Sequence, residues 1–152
     1  MSVQQHSLLD ESSFRQLVDH APLFSIDLVV MNDNDEILFG QRVNRPAQGY
    51  WFTPGGRVFK NESQEAAFLR ISRTELGLEI PRSEATLLGI FDHFYDDSVF
   101  GESVSTHYIN TPYLIRSNAL EKPLPLDQHQ DYRWIPIHSI TDTQGVHPYY
   151  YI

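Results

Sequence analysis

The chain has 152 residues, a formal net charge of −9 and no cysteine. The lack of cysteine excludes disulfides, thiolate metal sites and cysteine nucleophiles, and the acidic balance argues against broad nucleic-acid binding, which needs a basic face. We expect a single domain over residues 1–152. Because the polar start lacks a basic-then-apolar pattern and no apolar run approaches about 20 residues, we also expect a cytoplasmic protein.

The N-terminal part of the chain predicts one helix followed by a β-hairpin. Residues 10–22 favour a helix, with Asp10 or Ser12 as its N-cap. Residues 23–42 favour two strands joined at the turn sequence NDND. Asp27 interrupts the apolar pattern of the first strand, so we interpret it either as a strand-end residue or as a functional one.

A second helix is predicted from its N-cap, Ser63, to its C-terminal glycine, Gly77. Its apolar residues supply a buried stripe, formed by Ala66, Ala67, Phe68, Ile71 and Leu76. Residues 84–95 and 102–116 favour two long strands, and a final strand is expected around residues 132–135. Because the order shows no regular βαβ alternation, we predict an α+β fold with a mixed β-sheet sandwiched between α-helices.

The C-terminal sequence DTQGVHPYYYI is short. Pro148 argues against a long closing helix here, because proline cannot continue one. We expect the three tyrosines and Ile152 to cover either the core or a partner surface.

The segment YWFTPGGRVFKNESQEAAFLRISRTELGL, residues 50–78, carries the strongest functional signal. Gly55 and Gly56 allow a tight turn between strands or a close backbone approach to a ligand or ion. The spacing that follows resembles the Nudix box of the Nudix hydrolases, G-x5-E-x7-R-E-U-x-E-E-x-G-U, where U is a bulky aliphatic residue. The matching residues are Gly56, Glu62, Arg70, Glu75, Gly77 and Leu78.

Three residues depart from this pattern. Ile71 and Thr74 stand where the family has Glu, and Ser72 stands at an aliphatic position. Positions 71, 74 and 75 lie together on a helix, so the two replacements leave Glu75 with capacity for about one Mg²⁺. That is too little for the multi-metal attack on phosphorus that is typical of the family. Arginines, which bind diphosphate oxygens in bidentate fashion, could offset the loss.

Six of the eleven basic residues fall between positions 42 and 73. This concentration indicates either a local anion site or a set of solvated surface arginines. The sequences GQRVNRPAQGYWFTPGGRV, FDHFYDD, STHY and DQHQDYRW together resemble the GDP-mannose mannosyl hydrolases, a Nudix branch that lacks the same two glutamates. The resemblance covers roughly residues 10–147. It implies hydrolysis of GDP-mannose, and also of GDP-glucose, to GDP and free sugar, with water attacking and inverting the anomeric carbon. It also implies one Mg²⁺ per active site and a homodimer.

The resemblance further implies a metal site and a general base. Mg²⁺ would be held by the Gly55 carbonyl, Glu75 and the side-chain oxygen of Gln128, all hard oxygen donors. His129 would be the base that deprotonates the attacking water, a role that suits a neutral imidazole. The alternative for His129 is a solvent-exposed surface histidine. His93 in FDHFYDD is another possible site residue near the sugar, but it is not included in the catalytic set.

The remaining implied residues act on the substrate. Arg42, Arg57 and Arg70 would stabilise the departing diphosphate, Tyr108 would donate a hydrogen bond to it and Asp27 would help to place the substrate. For Arg70 the alternative is a role in bracing the loop, and for Tyr108 it is packing within a strand. Two further functions remain open: a Nudix diphosphatase that attacks phosphorus, and a non-catalytic nucleotide-sugar sensor.

Overall fold

The structure is a computed structural model that describes residues 9–117 and 129–150, without the side chains of His129 and Gln130. Its α-helices are α1 (Glu11–His20) and α2 (Gln64–Leu76), and its strands are β1 (Leu23–Met31), β2 (Glu36–Arg42), β3 (Trp51–Phe52), β4 (Gly55–Arg57), β5 (Thr86–Leu87), β6 (Phe91–Tyr95), β7 (Thr106–Arg116) and β8 (His129–Pro136). Short 3-10 helices cover Arg82–Glu84, Ile137–Asp142 and Pro148–Tyr150. Within the described residues, no helix combines the length and apolar character that a membrane span requires.

Local signals set the ends of both helices. Asp10 is the N-cap of α1 and its carboxylate accepts from the Ser13 N–H at 2.7 Å. Ser63 caps α2 by accepting from the Ala66 N–H at 3.1 Å, and Gly77 ends it in the left-handed conformation with φ 70°. The predicted caps of α2 are therefore confirmed, and Asp10 rather than Ser12 caps α1.

The strands form one mixed sheet, as predicted. The central strands β1 and β7 pair in parallel, with Asp27 opposite Pro112. β1 also pairs antiparallel with β2 and β4, β7 with β5 and β6, and β2 with β3 and β8. The predicted hairpin is present, and Asn32 closes its turn by accepting from the Asn34 and Glu36 N–H groups.

Three strand predictions differ from the structure. The strand expected over residues 102–116 is β7, which begins only at Thr106. The region predicted as one strand over residues 84–95 is divided into β5 and β6, with Gly89 between them at φ 149°. The final strand, expected around residues 132–135, begins already at His129 because its backbone pairs with β2 as far back as Arg42. The last three residues of the sequence DQHQD, residues 129–131, therefore lie in the sheet.

The two faces of β1 have different roles because successive side chains of a strand alternate between faces. Ile26, Leu28 and Val30 pack with the buried face of α2, which includes Phe68 and Ile71. The opposite face carries Ser25 and Asp27, and farther along it Met31 joins a second apolar cluster that contains Ile140 and Val146.

On the second face of the sheet, short 3-10 helices cover the cluster that contains Ile140 and Val146, and the described part of the C-terminus forms no closing α-helix. This agrees with the expectation from Pro148. Helix α1 closes one end of that face through a third cluster, in which its Val18 packs with Leu23 and Val104. The sheet thus has α2 on one face and an open, partly polar region on the other.

Candidate active site

A cavity of about 340 Å³ lies on the sheet face opposite α2. This volume is within the range of small-ligand sites. The cavity brings together seven residues that the sequence analysis singled out: Asp27, Arg42, Gly55, Gly56, Arg57, His93 and Tyr108. They come from five strands, β1, β2, β4, β6 and β7, so the sheet itself aligns them.

Asp27 is a buried carboxylate on the floor of this cavity. Its Oδ2 accepts from the Tyr150 hydroxyl at 3.2 Å. Burial raises its pKa to about 6, although hydrogen bonds from Asn110, Tyr150 and Thr53 and the charge of Arg42 act in the opposite direction. Asp27 is therefore largely ionised at neutral pH and can accept hydrogen bonds from a ligand.

Gly55 is the closest neighbour of this carboxylate on β4, where it pairs with Asp27 in the antiparallel register. A Cβ added at Gly55 would lie 2.5 Å from Oδ1 of Asp27 and 2.6 Å from the carbonyl oxygen of Ile26. Asp27 can therefore occupy this position only because residue 55 is a glycine and has no Cβ.

Arg42 and Arg57 bring two cations to the cavity. Arg42 donates through Nε to the Pro46 carbonyl at 2.9 Å. The guanidinium of Arg57 lies over the rings of Phe14 and Phe59, 4.9 Å from each centroid, and burial lowers its pKa. Because an arginine remains charged even after a substantial shift, both groups can bind phosphate oxygens.

Arg70 has a different environment. Its guanidinium makes a bidentate pair with Glu62, at 2.8 Å and 3.0 Å, and also donates to the Arg57 carbonyl at 2.8 Å. It stacks on Phe59, 3.9 Å from the ring centroid. Unlike Arg42 and Arg57, Arg70 is not one of the described residues that line the cavity. These contacts are those of the loop-bracing alternative, and Glu62 completes the brace by accepting from the Phe59 N–H at 3.1 Å.

Acid is expected to weaken this brace. Burial alone would raise the pKa of Glu62, but hydrogen bonds from Arg70 and Phe59 and the charges of Arg70 and Arg57 together lower it below 4.5. A lowered folded-state pKa contributes stability above the unfolded-state value of 4.5, and this stability is lost as the pH falls through the folded-state pKa.

We therefore expect Glu62→Gln to destabilise the protein by about 2 kcal/mol at pH 7 and to flatten the loss of stability below pH 4.5. Urea denaturation between pH 3 and pH 7 measures both effects. The exposed Glu84 provides the control substitution Glu84→Gln. Equal acid sensitivity in the Glu62 variant and the parent protein would contradict the role of the brace.

Tyr108 and His93 face each other across the antiparallel pair of β7 and β6. Burial raises the pKa of Tyr108, so its hydroxyl stays protonated and can donate a hydrogen bond. Burial, with the neighbouring His147, lowers the pKa of His93 to about 4. The His93 ring stacks on Tyr149 at 4.1 Å, with an interplanar angle of 3°, and is neutral at physiological pH.

Helix α2, called the box helix because it carries Arg70 and Glu75 of the Nudix box, accommodates the three departures from the family pattern. Ile71, 1% exposed, belongs to the apolar core and lies against Gly56, whereas Thr74 is exposed. The Ser72 hydroxyl donates to the Leu69 carbonyl at 2.9 Å and accepts from the Ile80 N–H at 3.0 Å. Ser72 therefore fixes the segment that follows α2 by hydrogen bonds, at a position where the family has an aliphatic side chain.

The structure describes some of the residues that the resemblance implies as metal ligands and base, but not all of them. Glu75 is buried on α2 at 5% exposure, and Gly55 lines the cavity. Gln128 lies outside the described residues. The backbone of His129 pairs with that of Arg42, so position 129 adjoins a strand that contributes to the cavity. Among the side chains that the structure describes, no three His, Cys, Asp or Glu residues form a metal-binding group.

The C-terminal residues contribute to the site in a way that the sequence analysis only partly anticipated. Tyr150 contacts Asp27, and its ring packs edge-on against Phe39 and Phe52. The Tyr149 hydroxyl accepts from the Phe94 N–H at 2.8 Å and donates to its carbonyl at 2.9 Å. The three tyrosines and Ile152 were expected to cover either the core or a partner surface, but no local signal pointed to the buried carboxylate. Tyr151 and Ile152 lie outside the described residues.

Comparisons with known proteins agree with this fold. A model of the NUDIX domain matches residues 22–152. The chain is 34% identical over 142 residues to the low-salt glycan biosynthesis protein Agl8 of Haloferax volcanii, which covers 93% of this chain and 85% of Agl8. A MutT NUDIX hydrolase from Burkholderia pseudomallei superimposes with a TM-score of 0.68 at 27% identity, over 87% of this chain and 95% of that one.

The MutT protein from Methanosarcina mazei Go1 has the same fold, with a TM-score of 0.68 at 20% identity over 87% of this chain and 89% of its own. The family match extends over most of the chain and includes Gly55 and Gly56 of β4, helix α2 and the strands that line the cavity. The chain therefore belongs to the NUDIX domain family, the family of the Nudix hydrolases.

Proposed function

We propose that this protein hydrolyses GDP-mannose, and GDP-glucose as a second substrate, to GDP and free sugar. The observation that carries the proposal is the distribution of charge at the site. Arg42 and Arg57 line the cavity, whereas positions 71 and 74 of the box helix hold a buried isoleucine and an exposed threonine. Such a site can neutralise a leaving diphosphate but has few carboxylates with which to bind several metals. The name of the relative Agl8, a glycan biosynthesis protein, also supports a sugar-linked substrate.

Cleavage at the sugar carbon makes GDP the leaving group. Its departure is promoted when the negative charge that develops on the diphosphate is neutralised. In our proposal Arg42 and Arg57 bind the diphosphate oxygens and the protonated hydroxyl of Tyr108 donates to them. Arg70 contributes by holding the Arg57 carbonyl, and therefore the loop, in place. Asp27 accepts hydrogen bonds from the substrate on the cavity floor.

The residues around Gly55 fit one divalent cation. Along an antiparallel strand, the backbone N–H and C=O groups of every second residue bond to the partner strand, and those of the residues between them point away from it. The bonds from Leu28 N–H to the Pro54 carbonyl and from Val58 N–H to the Phe24 carbonyl fix this alternation. The Gly55 carbonyl therefore points away from β1.

The carbonyl of Arg57 points to the same side as that of Gly55 and accepts there from Arg70 of α2. Arg57 of β4 bonds to Arg70 of α2, and Gly56, one residue earlier on β4, lies against Ile71, one residue later on α2. A step back along β4 therefore corresponds to a step forward along the helix. This progression leads toward Glu75. We propose that Gly55, Glu75 and Gln128 hold Mg²⁺, which when bound would help to neutralise the diphosphate.

The site of water attack distinguishes this reaction from the usual Nudix chemistry. GDP-mannose should be hydrolysed in ¹⁸O-labelled water, and the products should be separated and weighed by mass spectrometry. We expect unlabelled GDP and mannose labelled at its anomeric oxygen. Labelled GMP or labelled mannose phosphate would instead identify attack on phosphorus. Tight binding of GDP-mannose without either product would identify a sensor.

The metal site gives a second prediction. In Glu75→Gln the loss of the carboxylate charge is expected to raise the Mg²⁺ concentration for half-maximal activity at least about tenfold. Titration of the activity with Mg²⁺ measures this value. Glu79→Gln, at an exposed residue beyond the end of α2 that pairs with Arg73, is the matched control. An unchanged Mg²⁺ response in Glu75→Gln would remove this residue from the ligand set.

A further inference from the structure

We propose that Tyr150 is a positioning residue that fixes the carboxylate of Asp27 for contact with the substrate. The inference rests on the proposed function only for the identity of the substrate. The two residues are 123 positions apart in the sequence, and their contact joins the C-terminal segment to the central strand β1.

The hydrogen bonds of Tyr150 leave little freedom in the direction of its proton. Its hydroxyl accepts from the Thr53 N–H at 3.3 Å, lies 3.0 Å from the Thr53 Oγ1 and lies 3.2 Å from Oδ2 of Asp27. A tyrosine hydroxyl donates one hydrogen bond and accepts others. An ionised carboxylate can only accept, so the Tyr150 hydroxyl donates its proton to Asp27 and accepts from the Thr53 N–H.

Asp27 has other polar partners, since Thr53 and Asn110 also hydrogen-bond to it and the charge of Arg42 acts on it. Asn110 donates to the Ser25 hydroxyl at 2.9 Å and also bonds to Asp27 from the β7 side. Oδ1 lies against the backbone of Gly55, where even a methyl group would not fit. Tyr150 therefore supplies the hydrogen bond to Oδ2, while Asn110 and Gly55 limit movement on other sides.

The backbone holds Tyr150 firmly enough for this role. The segment before it pairs with β3, because the Trp51 N–H donates to the Gly145 carbonyl at 2.8 Å and the His147 N–H donates to the Trp51 carbonyl at 3.3 Å. The backbone of Tyr150 is also held in place, because its N–H donates to the His147 carbonyl at 3.1 Å. The C-terminal segment thus acts as a fixed support beside the cavity.

The test is a double-substitution cycle with Tyr150→Phe and Asp27→Asn. Phenylalanine keeps the ring that packs on Phe39 and Phe52, so the variant should fold. We expect Tyr150→Phe to raise KM for GDP-mannose about tenfold or more, with a smaller change in kcat, because a hydrogen bond to a charged group is lost. In the Asp27→Asn background the same substitution should change KM less than about twofold, because coupled residues are not additive.

Tyr113→Phe is the matched control, since Tyr113 is a buried tyrosine on the α2 side whose hydroxyl accepts from Arg82 at 2.9 Å. Its KM should equal that of the parent protein. If Tyr150→Phe raises KM equally in both backgrounds, or not at all, the inference is overturned while the proposed function stands. If the parent protein neither binds nor hydrolyses GDP-mannose, the proposed function fails and the inference falls with it. If it binds GDP-mannose but attacks phosphorus, the cycle still tests Tyr150 through KM.

Discussion

Replacement of His129 by Gln is expected to lower the turnover of GDP-mannose by roughly 10² to 10⁴-fold with little change in substrate binding. A neutral imidazole, with an ordinary pKa of about 6.5, can take a proton from water near neutral pH, whereas the amide of glutamine cannot. The backbone pairing of His129 with Arg42 places position 129 beside a strand that lines the cavity. Steady-state kinetics gives kcat, and calorimetry with the inactive variant gives the dissociation constant.

The control for this substitution is His138→Gln, because His138 is exposed on the 3-10 helix that follows β8. Its turnover should match that of the parent protein. An unchanged rate in His129→Gln would move the role of base to His93. That residue lines the cavity, but its pKa of about 4 makes it a weaker proton acceptor.

Gly55→Ala is expected to destabilise the protein by about 3 kcal/mol or more, at the upper end of the cost of overpacking a filled site. The new methyl group would meet the Asp27 carboxylate at 2.5 Å and the Ile26 carbonyl at 2.6 Å. One of these neighbours is backbone of the central strand and cannot move independently of the sheet. Any protein that still folds should also bind substrate poorly, because Asp27 must shift.

Gly56→Ala provides a matched comparison one residue away. Its methyl group would meet Cγ1 of Ile71 at 3.1 Å, which is the side chain of a single residue that can adjust. We expect a cost of about 1 kcal/mol. Urea denaturation of both variants measures the difference. Equal stabilities would show that Gly55 is not held against Asp27 as the structure indicates.

The elements with strong local signals were predictable from the sequence. Asp10, Ser63 and Gly77 mark helix ends because their own side chains or backbone conformation satisfy the terminal groups. The hairpin turn follows from Asn32, whose side chain bonds within the turn itself. In each case the residues that determine the structure are close together in the sequence.

The unpredicted features depend on contacts between distant segments. The early start of β8 requires pairing with β2, and the break between β5 and β6 follows from how each pairs with β7. The same applies to the site. Glycine spacing identified the loop and its helix, but the bond between Asp27 and Tyr150 forms only when the C-terminus returns to the sheet.

Arg70 shows a further limit of the sequence signal. Its spacing from Glu62 is part of the recognisable pattern, yet spacing alone is equally compatible with a phosphate contact and with a structural pair. The geometry favours the pair, since all of the contacts at 2.8–3.0 Å engage Glu62 and the Arg57 carbonyl. A residue can therefore belong to a sequence motif because it holds the backbone around residues 57–62 in shape rather than because it binds the substrate.

The alternation of side chains along β1 has a consequence for how new specificity could arise. A slip of this strand by one residue would exchange Ile26 and Asp27 between the apolar core and the ligand side. The side of the sheet on which position 27 lies is therefore fixed by the same register that buries Ile26 in the core. Ligand preference in related chains is therefore expected to change through substitutions at single cavity positions rather than through a shift of β1, because such substitutions leave the central register intact.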